Sequence, residues 1–155
     1  MPNLDDVYRK FGYAAEAAQL VETELGNLLI EHGIVEENLV NQPDPKRAAD
    51  LLRQINRHTL GQLIIKLKAK NHSIANLEDV LEKALDERNR LFHSFYRQHN
   101  LRRNSDEGRQ RMLDDLEGIH NALLDAYKAV MLLSGVDLDK LASLQPPLPT
   151  KHLPI

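Results

Sequence analysis

Apolar residues recur every three or four positions along most of the chain, which is the spacing of one face of an α-helix. The longest run predicts a first helix over about residues 5–32, with Gly33 suited to its C-terminal cap. A second helix is predicted over 45–57, because Asp44 can cap it and a proline in the first position is tolerated there. A further short amphipathic segment follows over 60–68. The first half of the chain is therefore helical, with turns between its helices.

Two more helices are predicted in the second half. Asn76 can cap a helix that runs to about His99, and Ser105 opens a last long helix that Gly135 ends. A short helical turn follows at about 137–143. Strand-like alternation, internal repeats and low-complexity tracts are absent from the sequence. The pattern predicts an all-α fold, specifically an up-and-down four-helix bundle with a short extra C-terminal helix.

The length and composition fit one helical domain followed by a tail. A chain of 155 residues can bury a single hydrophobic core, which we place in residues 1–144. Residues 145–155 contain four prolines and are expected to be extended. The sequence has no cysteine, which excludes disulfides and thiolate metal sites. Because neither a signal-peptide pattern nor a bilayer-spanning apolar run is found, we expect a cytoplasmic protein that does not associate with membranes.

One arginine interrupts the apolar face of the helix predicted after Asn76. That face is formed by Leu77, Leu81, Ala84, Leu91 and Phe95. Arg88 projects from near its middle, where burying an unpaired cation would cost several kcal/mol. A guanidinium at such a position is normally paired or lies at a functional surface, so Arg88 is the residue that most needs an explanation.

Basic charge is concentrated around this arginine. The formal net charge of the whole chain is −3, which argues against indiscriminate binding of nucleic acid. The segment from 88 to 111 nevertheless has only Asp106 and Glu107 as acidic residues against seven arginines, namely Arg88, Arg90, Arg97, Arg102, Arg103, Arg109 and Arg111. A local basic surface is therefore expected on a chain that is acidic overall.

The segment Arg88-Asn89-Arg90-Leu91-Phe92-His93 resembles the signature of the HEPN superfamily. That signature has an arginine, often followed by a polar residue, and a histidine after four to six intervening residues. The resemblance implies a small helical bundle that forms a homodimer, with the motif helices of two subunits facing each other across a shared groove. Catalytic members of this superfamily are metal-independent endoribonucleases whose cleavage uses the 2′-hydroxyl of the RNA as nucleophile. A toxin-like or defence-related function, RNA as substrate and a protein partner such as a cognate antitoxin are what the resemblance suggests.

The residue types suit this chemistry. His93 can accept or donate a proton near neutral pH, and Arg88 can hold a phosphate through the two parallel N–H groups of its planar fork. Asn89 lies on the same helical face as His93, four positions later, and can orient the imidazole or contact the ribose. Arg88 and His93 point about 140° apart on a helical wheel. Joint action of these two residues therefore requires a bend, the reach of the arginine, or pairing across a dimer.

Five further residues are candidates for contacts with RNA. Arginines can track phosphates, which makes binding strongly dependent on salt, and a tyrosine can stack on a base. The candidate nucleic-acid-binding residues are Arg90, Tyr96, Arg97, Arg102 and Arg103. In a HEPN subgroup paired with nucleotidyltransferase antitoxins, a tyrosine stands two positions after the histidine. This chain has Phe95 at that position and Tyr96 one place later, which is a departure from the subgroup.

Two other interpretations of these residues compete with a nuclease site, one structural and one a non-catalytic function. Arg88 can be a structural ion-pair residue bonded to Glu16, Glu22 or Glu24 of the first helix, with His93 merely exposed. Alternatively, the fold is HEPN-like but the protein is a non-catalytic antitoxin, immunity protein or regulatory bundle, whose arginines dock a protein partner.

The remaining histidines predict neither a metal site nor a cofactor site. His99 and the other histidines outside the motif are scattered, and we expect them to be surface or cap residues. Glu117 and His120 have the Glu-x-x-His spacing of di-iron bundles, but no second pair exists. Glycine-rich phosphate loops and dinucleotide fingerprints are also absent from the sequence.

Overall fold

The described part of the computed structural model, residues 1–70 and 77–144, is all helical and contains no strand. The predicted cap Asn76, the predicted break at 71–73 and the tail 145–155 lie outside these ranges. The α-helices are α1 (Leu4–Glu36), α2 (Pro45–Ile55), α3 (Leu60–Lys70), α4 (Glu78–His93), α5 (Phe95–Gln98), α6 (Asp106–Leu133) and α7 (Leu138–Leu144), and a 3₁₀ turn covers Arg102–Asn104. None of these helices has the length and apolar composition to cross a bilayer.

The first helix is capped by Asn3 at its start and is followed by Asn38 beyond its C-terminal cap. The side chain of Asn3 accepts a hydrogen bond from the Asp6 backbone N–H, and the Asp6 carboxylate accepts one from the Asn3 N–H, a reciprocal capping box. The expected cap at Gly33 is wrong, because α1 continues through this buried glycine to Glu36. Gly33 packs against α2, where a Cβ at this position would lie 3.4 Å from the Leu51 side chain, an ordinary van der Waals distance. Asn38, at φ 54°, takes the left-handed position beyond the helix.

The second and third helices cover one side of α1. Asp44 caps α2 by accepting from the Arg47 backbone N–H at 3.0 Å, as the sequence predicts. The side chains of Thr59 and Gln62 bond each other's backbone N–H at the start of α3. The apolar side of α3 is then buried through Leu60, Leu63, Ile64 and Leu67.

The motif helix is shorter than its sequence pattern predicts. We expected it to run to about His99, but α4 ends at His93 and α5 begins at Phe95. Between them, Ser94 has φ −139°, and both its backbone N–H and its hydroxyl donate to the Arg90 carbonyl, at 3.0 and 3.2 Å. The backbone bond is the last regular one of α4, and the non-helical φ of Ser94 ends the helix, so His93 lies at its C-terminal end.

The most extensive packing in the core is between α1 and α6. In addition, α4 packs against α6, and α3 packs against α1. The predicted faces are confirmed, since Val7, Ala14, Ala18, Val21 and Leu25 of α1 are buried with Met112, Leu116, Ile119, Leu123 and Val130 of α6. On α4, Leu81, Ala84 and Leu91 are buried, as is the following Phe95. These helices therefore enclose one continuous core.

Replacement of Gly108, in the first turn of α6, is expected to destabilise the protein. A Cβ at this position would lie 2.0 Å from the backbone carbonyl oxygen of Arg102, so Gly108→Ala must displace the 3₁₀ turn. We expect a loss of about 2 kcal/mol in the free energy of unfolding, measured by urea titration. Gly118→Ala in the same helix is the matched control, because a Cβ there meets nothing within 4 Å. Gly118→Ala should stabilise the protein by about 0.5–1 kcal/mol, and an equal response of the two glycines would contradict the proposed close contact.

Candidate functional site

Arg88 is held in place by three neighbours. Its Nε donates to Oε1 of Glu22 on α1 at 3.0 Å, and its Nη1 donates to Oδ1 of Asn89 at 3.2 Å. Its guanidinium carbon lies 5.2 Å from the ring centroid of Phe92, a cation–π contact. The side chains of Arg88 and Glu22 are 23% and 28% exposed. Arg88 is therefore a half-buried, oriented cation, and Glu22 is one of the three glutamates that the structural interpretation proposed.

Aromatic side chains continue from Arg88 across the surface. The Phe92 ring meets Phe11 edge-on at 6.4 Å, and Phe11 stacks with Tyr96 at 5.4 Å. Arg103 donates from Nη2 to the Tyr8 hydroxyl at 3.2 Å, and Tyr8 also acts electrostatically on Tyr96. We call Tyr8, Phe11, Phe92 and Tyr96 the aromatic strip.

The aromatic strip is open to solvent along most of its length. Its rings at Tyr8, Phe92 and Tyr96 are 48%, 42% and 43% exposed, whereas Phe11 is half-buried beneath them. Burial raises the pKa of Tyr96 above its usual value. The sequence predicted Tyr96 as a stacking residue but did not reveal that Tyr8 and Phe11 lie beside it. Tyr8 lies far from the motif in the sequence, and Phe11 belongs to the apolar pattern of α1. The strip thus presents large, partly exposed rings between Arg88 and Arg103.

The remaining two motif residues lie on the exposed side of α4. Asn89 is exposed, and its amide oxygen is used by Arg88. His93 is exposed at the last position of the helix, and its imidazole has no hydrogen-bond partner within the described ranges. The predicted use of Asn89 to orient the imidazole has no counterpart among these hydrogen bonds, because the amide is turned toward the guanidinium. His93 is left accessible to a ligand.

A network around Asp115 lies behind this surface. Arg90 donates from Nη1 and Nη2 to the two carboxylate oxygens of Asp115, each at 2.7 Å, and also binds Glu87. The same carboxylate accepts from Nε2 of His99 at 2.6 Å, and Nδ1 of His99 faces Nη1 of Arg102 at 3.0 Å. We call Glu87, Arg90, His99, Arg102 and Asp115 the Asp115 network. It joins α4, the segment after α5 and α6.

Two expectations change because of this network. The surface or cap position expected for His99 is wrong, since its side chain is 4% exposed and packs against Phe95. Arg90 is committed to two carboxylates inside the protein, so we leave it out of the surface available to a ligand. No short sequence signal marks this arrangement, because Asp115 is 25 positions from Arg90.

The other arginines differ in whether they form a salt bridge with a carboxylate. Arg109 binds Asp106 and the Pro2 carbonyl, and Arg111 binds Glu107. Within the described ranges, no carboxylate lies within salt-bridge distance of three exposed arginines, Arg97, Arg102 and Arg103. These three are among the predicted RNA contacts. The basic charge accessible near the motif therefore comes from them and from Arg88.

The Asp115 network predicts a specific acid sensitivity. Hydrogen bonds from Arg90 hold the pKa of Asp115 below its usual value of 3.8, against the opposing effect of burial. Because the folded pKa is the lower one, this stabilisation is complete above pH 3.8 and is lost as the pH falls toward the folded pKa. Urea titrations at a series of pH values should show wild-type stability falling across that acidic window. The decrease should be smaller in Asp115→Asn, and parallel curves would contradict the linkage.

The acidic and histidine side chains of the described residues form no cluster suited to a metal ion. Among residues 1–70 and 77–144, no group of three or more His, Asp or Glu side chains is arranged to hold an ion. Glu117 instead forms an ion pair with Lys10, whose Nζ is 3.4 Å from Nδ1 of His120. The Glu-x-x-His pair is thus accounted for by contacts with α1.

The comparisons with known proteins identify no relative. No family model matches the chain, and no curated protein or solved structure does.

Proposed function

We propose that this chain is a HEPN-like protein that binds RNA and cleaves it without a metal ion, using Arg88, Asn89 and His93. The observation that carries the proposal is the aromatic strip, which connects the oriented guanidinium of Arg88 to Arg103. Exposed rings on which bases can stack, combined with cations that follow the phosphates, are the elements of single-stranded RNA recognition. The Arg-x4-His motif lies at one end of this strip.

In the proposed reaction, Arg88 binds the non-bridging oxygens of the scissile phosphate. Glu22 accepts from Nε and Asn89 accepts from Nη1, which leaves the N–H groups of Nη2 as the donors for the ligand. His93 removes the proton of the 2′-hydroxyl, whose oxygen then attacks phosphorus while the bond to the 5′-oxygen breaks. The leaving oxygen takes a proton from solvent, and the products are a 2′,3′-cyclic phosphate and a 5′-hydroxyl. Asn89 keeps the guanidinium oriented through its 3.2 Å contact.

The proposed architecture is an up-and-down four-helix bundle of α1, α3, α4 and α6, in a cytoplasmic protein. We further propose a homodimer in which the motif helices face each other, so that Arg88 of one subunit and His93 of the other contact one phosphate. In this arrangement Arg88 and His93 of the same helix do not have to meet, although they point about 140° apart on a helical wheel. Arg97, Arg102 and Arg103 extend the groove on either side.

A second candidate function is favoured by the ion pair between Arg88 and Glu22. If that pair is only structural, the same surface is a docking site for a protein, as in an antitoxin, immunity protein or regulatory bundle. Aromatic residues and arginine are enriched at protein interfaces as well. The two functions differ in whether the surface contacts RNA and whether the RNA is cut.

The binding part of the proposal is tested by Tyr96→Ala. Loss of one stacked base should weaken binding of a fluorescently labelled single-stranded RNA by about 1–3 kcal/mol, measured by anisotropy in EDTA at low salt. Tyr13→Ala is the matched control, because Tyr13 is similarly exposed but stacks on His120, outside the aromatic strip. Equal affinities of the two variants would exclude the strip as the RNA contact, and absence of RNA binding by the wild type would favour the docking function.

A further inference from the structure

A second candidate site lies on the side of Glu22 away from the aromatic strip. A cavity of about 280 Å³ opens between α1 and the connection from α2 to α3. Its apolar lining is formed by Gly26, Ile55 and Leu63, and its polar lining by Gln19, Glu22, Thr23, Asn27, Asn56 and His58. Gly26 keeps the floor open, because a Cβ there would lie 3.3 Å from Cγ2 of Ile55.

The lining suits a flat heteroaromatic ring. Ile55 and Leu63 offer apolar surfaces to the face of a ring, while the amides of Gln19 and Asn27 can bond to its edge. His58 also lines the cavity, and its Nδ1 is buried with no hydrogen-bond partner among residues 1–70 and 77–144. Because surrounding protein covers this nitrogen, the polar groups open to a ligand are those of the other lining residues.

Glu22 gives the cavity a preference among such ligands. It lines the cavity, and Oε1 accepts from Arg88, whereas Oε2 has no hydrogen-bond partner among residues 1–70 and 77–144. An ionised carboxylate only accepts hydrogen bonds. Guanine presents two adjacent donors, N1–H and the 2-amino group, whereas the Watson–Crick edges of adenine, cytosine and uracil each present one. A carboxylate at this position therefore favours guanine.

We propose that this cavity binds an unstacked guanine of the RNA, next to the phosphate held by Arg88. The inference rests on the proposed function, since Glu22 contacts Arg88 on one side and lines the base site on the other. Enzymes that read a base outside a stack use this combination of apolar walls and hydrogen bonds to the Watson–Crick edge. The cavity would then set the base beside which the chain is cleaved.

The direct test is titration of the protein with guanosine, adenosine, cytidine and uridine 5′-monophosphates, followed by NMR shifts of backbone amides. We expect saturable shifts in α1 and in residues 55–63, with the guanosine nucleotide binding at least about tenfold more tightly than the other three. Thr23→Trp places an indole at the exposed rim and should abolish these shifts. Gln110→Trp, an exposed polar position on α6, is the matched control and should bind like the wild type.

Failure of this inference is distinguishable from failure of the proposed function. Equal binding of all four nucleotides, or guanosine binding that survives Thr23→Trp, would overturn the guanine site whatever the RNA assay shows. RNA cleavage by the wild type with no guanine preference at the cut position would overturn it also. Guanosine binding that Thr23→Trp removes, in a protein that cleaves no RNA, would keep the cavity as a guanine site and reject the nuclease.

Discussion

Asp115→Ala is expected to lower the free energy of unfolding by about 3 kcal/mol, the largest stability effect that we predict for a single side chain. Removing one partner of a buried ion pair costs about 3–5 kcal/mol, and the lower end applies because Asp115 is 26% exposed and solvent screens part of the interaction. The substitution removes the Asp115 carboxylate from Arg90 and from Nε2 of His99, whose side chain is buried. Glu87 still binds Arg90, so the cation is not left entirely unpaired.

The measurement is urea denaturation at neutral pH, supported by thermal melting. For a chain of this size, a loss of 3 kcal/mol corresponds to a decrease of about 6–12 °C in Tm. Asp114→Ala is a close control, because this neighbouring aspartate is exposed and, among the described residues, accepts a single side-chain hydrogen bond, from Gln110 at 2.8 Å. Asp114→Ala should change stability by less than about 0.5 kcal/mol. Similar losses in both variants would show that the Asp115 network contributes little.

The Asp115 network also bears on the site, since it ties the end of α4 and the α5 segment to α6. Arg90 lies three residues before His93, and His99 lies three residues after Tyr96. Releasing Asp115 therefore loosens both the candidate proton-transfer residue and the aromatic strip. A loss of RNA binding in Asp115→Ala would be an indirect, positional effect, whereas Tyr96→Ala removes a contact surface itself.

The sequence pattern predicted the helices because hydrophobic periodicity is a local signal. The apolar faces of α1 and α6 are buried as expected, and the caps at Asp44 and Ser105 accept the hydrogen bonds assigned to them. Helix ends were less predictable, because they depend on the conformation of single residues. Ser94, whose φ of −139° is not helical, separates α4 from α5, and α1 continues through Gly33 instead of ending there.

The surroundings of the motif depend on contacts between distant positions, which periodicity does not encode. The apolar stripe of α4 identified Arg88 as a cation that needs a partner, and it has Glu22. Periodicity alone left three glutamates on α1 as candidates. The pairing of His99 with Asp115 could not be read in the same way, because α4 ends at His93 and the helical pattern does not continue to His99. Site geometry therefore follows from the three-dimensional packing of α1, α4 and α6.

His93→Ala is expected to reduce RNA cleavage by about 10²–10⁴-fold, the contribution typical of a general acid or base. Since His93 is exposed and has no hydrogen-bond partner in the described part of the chain, its replacement should change stability by less than about 0.5 kcal/mol. The assay follows a labelled RNA in EDTA, with the melting temperature of each variant recorded alongside. Loss of cleavage with unchanged melting would be a chemical effect and not a folding effect.

Arg88→Lys separates the two interpretations of the arginine. Lysine keeps the positive charge beside Glu22 but lacks the planar fork that grips two phosphate oxygens. A phosphate-binding role predicts that cleavage falls by about 10²–10³-fold while stability changes little, whereas a purely structural ion pair predicts that cleavage survives. Arg53→Lys, at an exposed arginine of α2 paired with Asp50, is the matched control, because it makes the same exchange of a guanidinium for an ammonium away from the motif. A wild type that leaves RNA intact in this assay, with Arg88→Ala clearly destabilised, would make the ion pair structural and the surface a docking site for a protein.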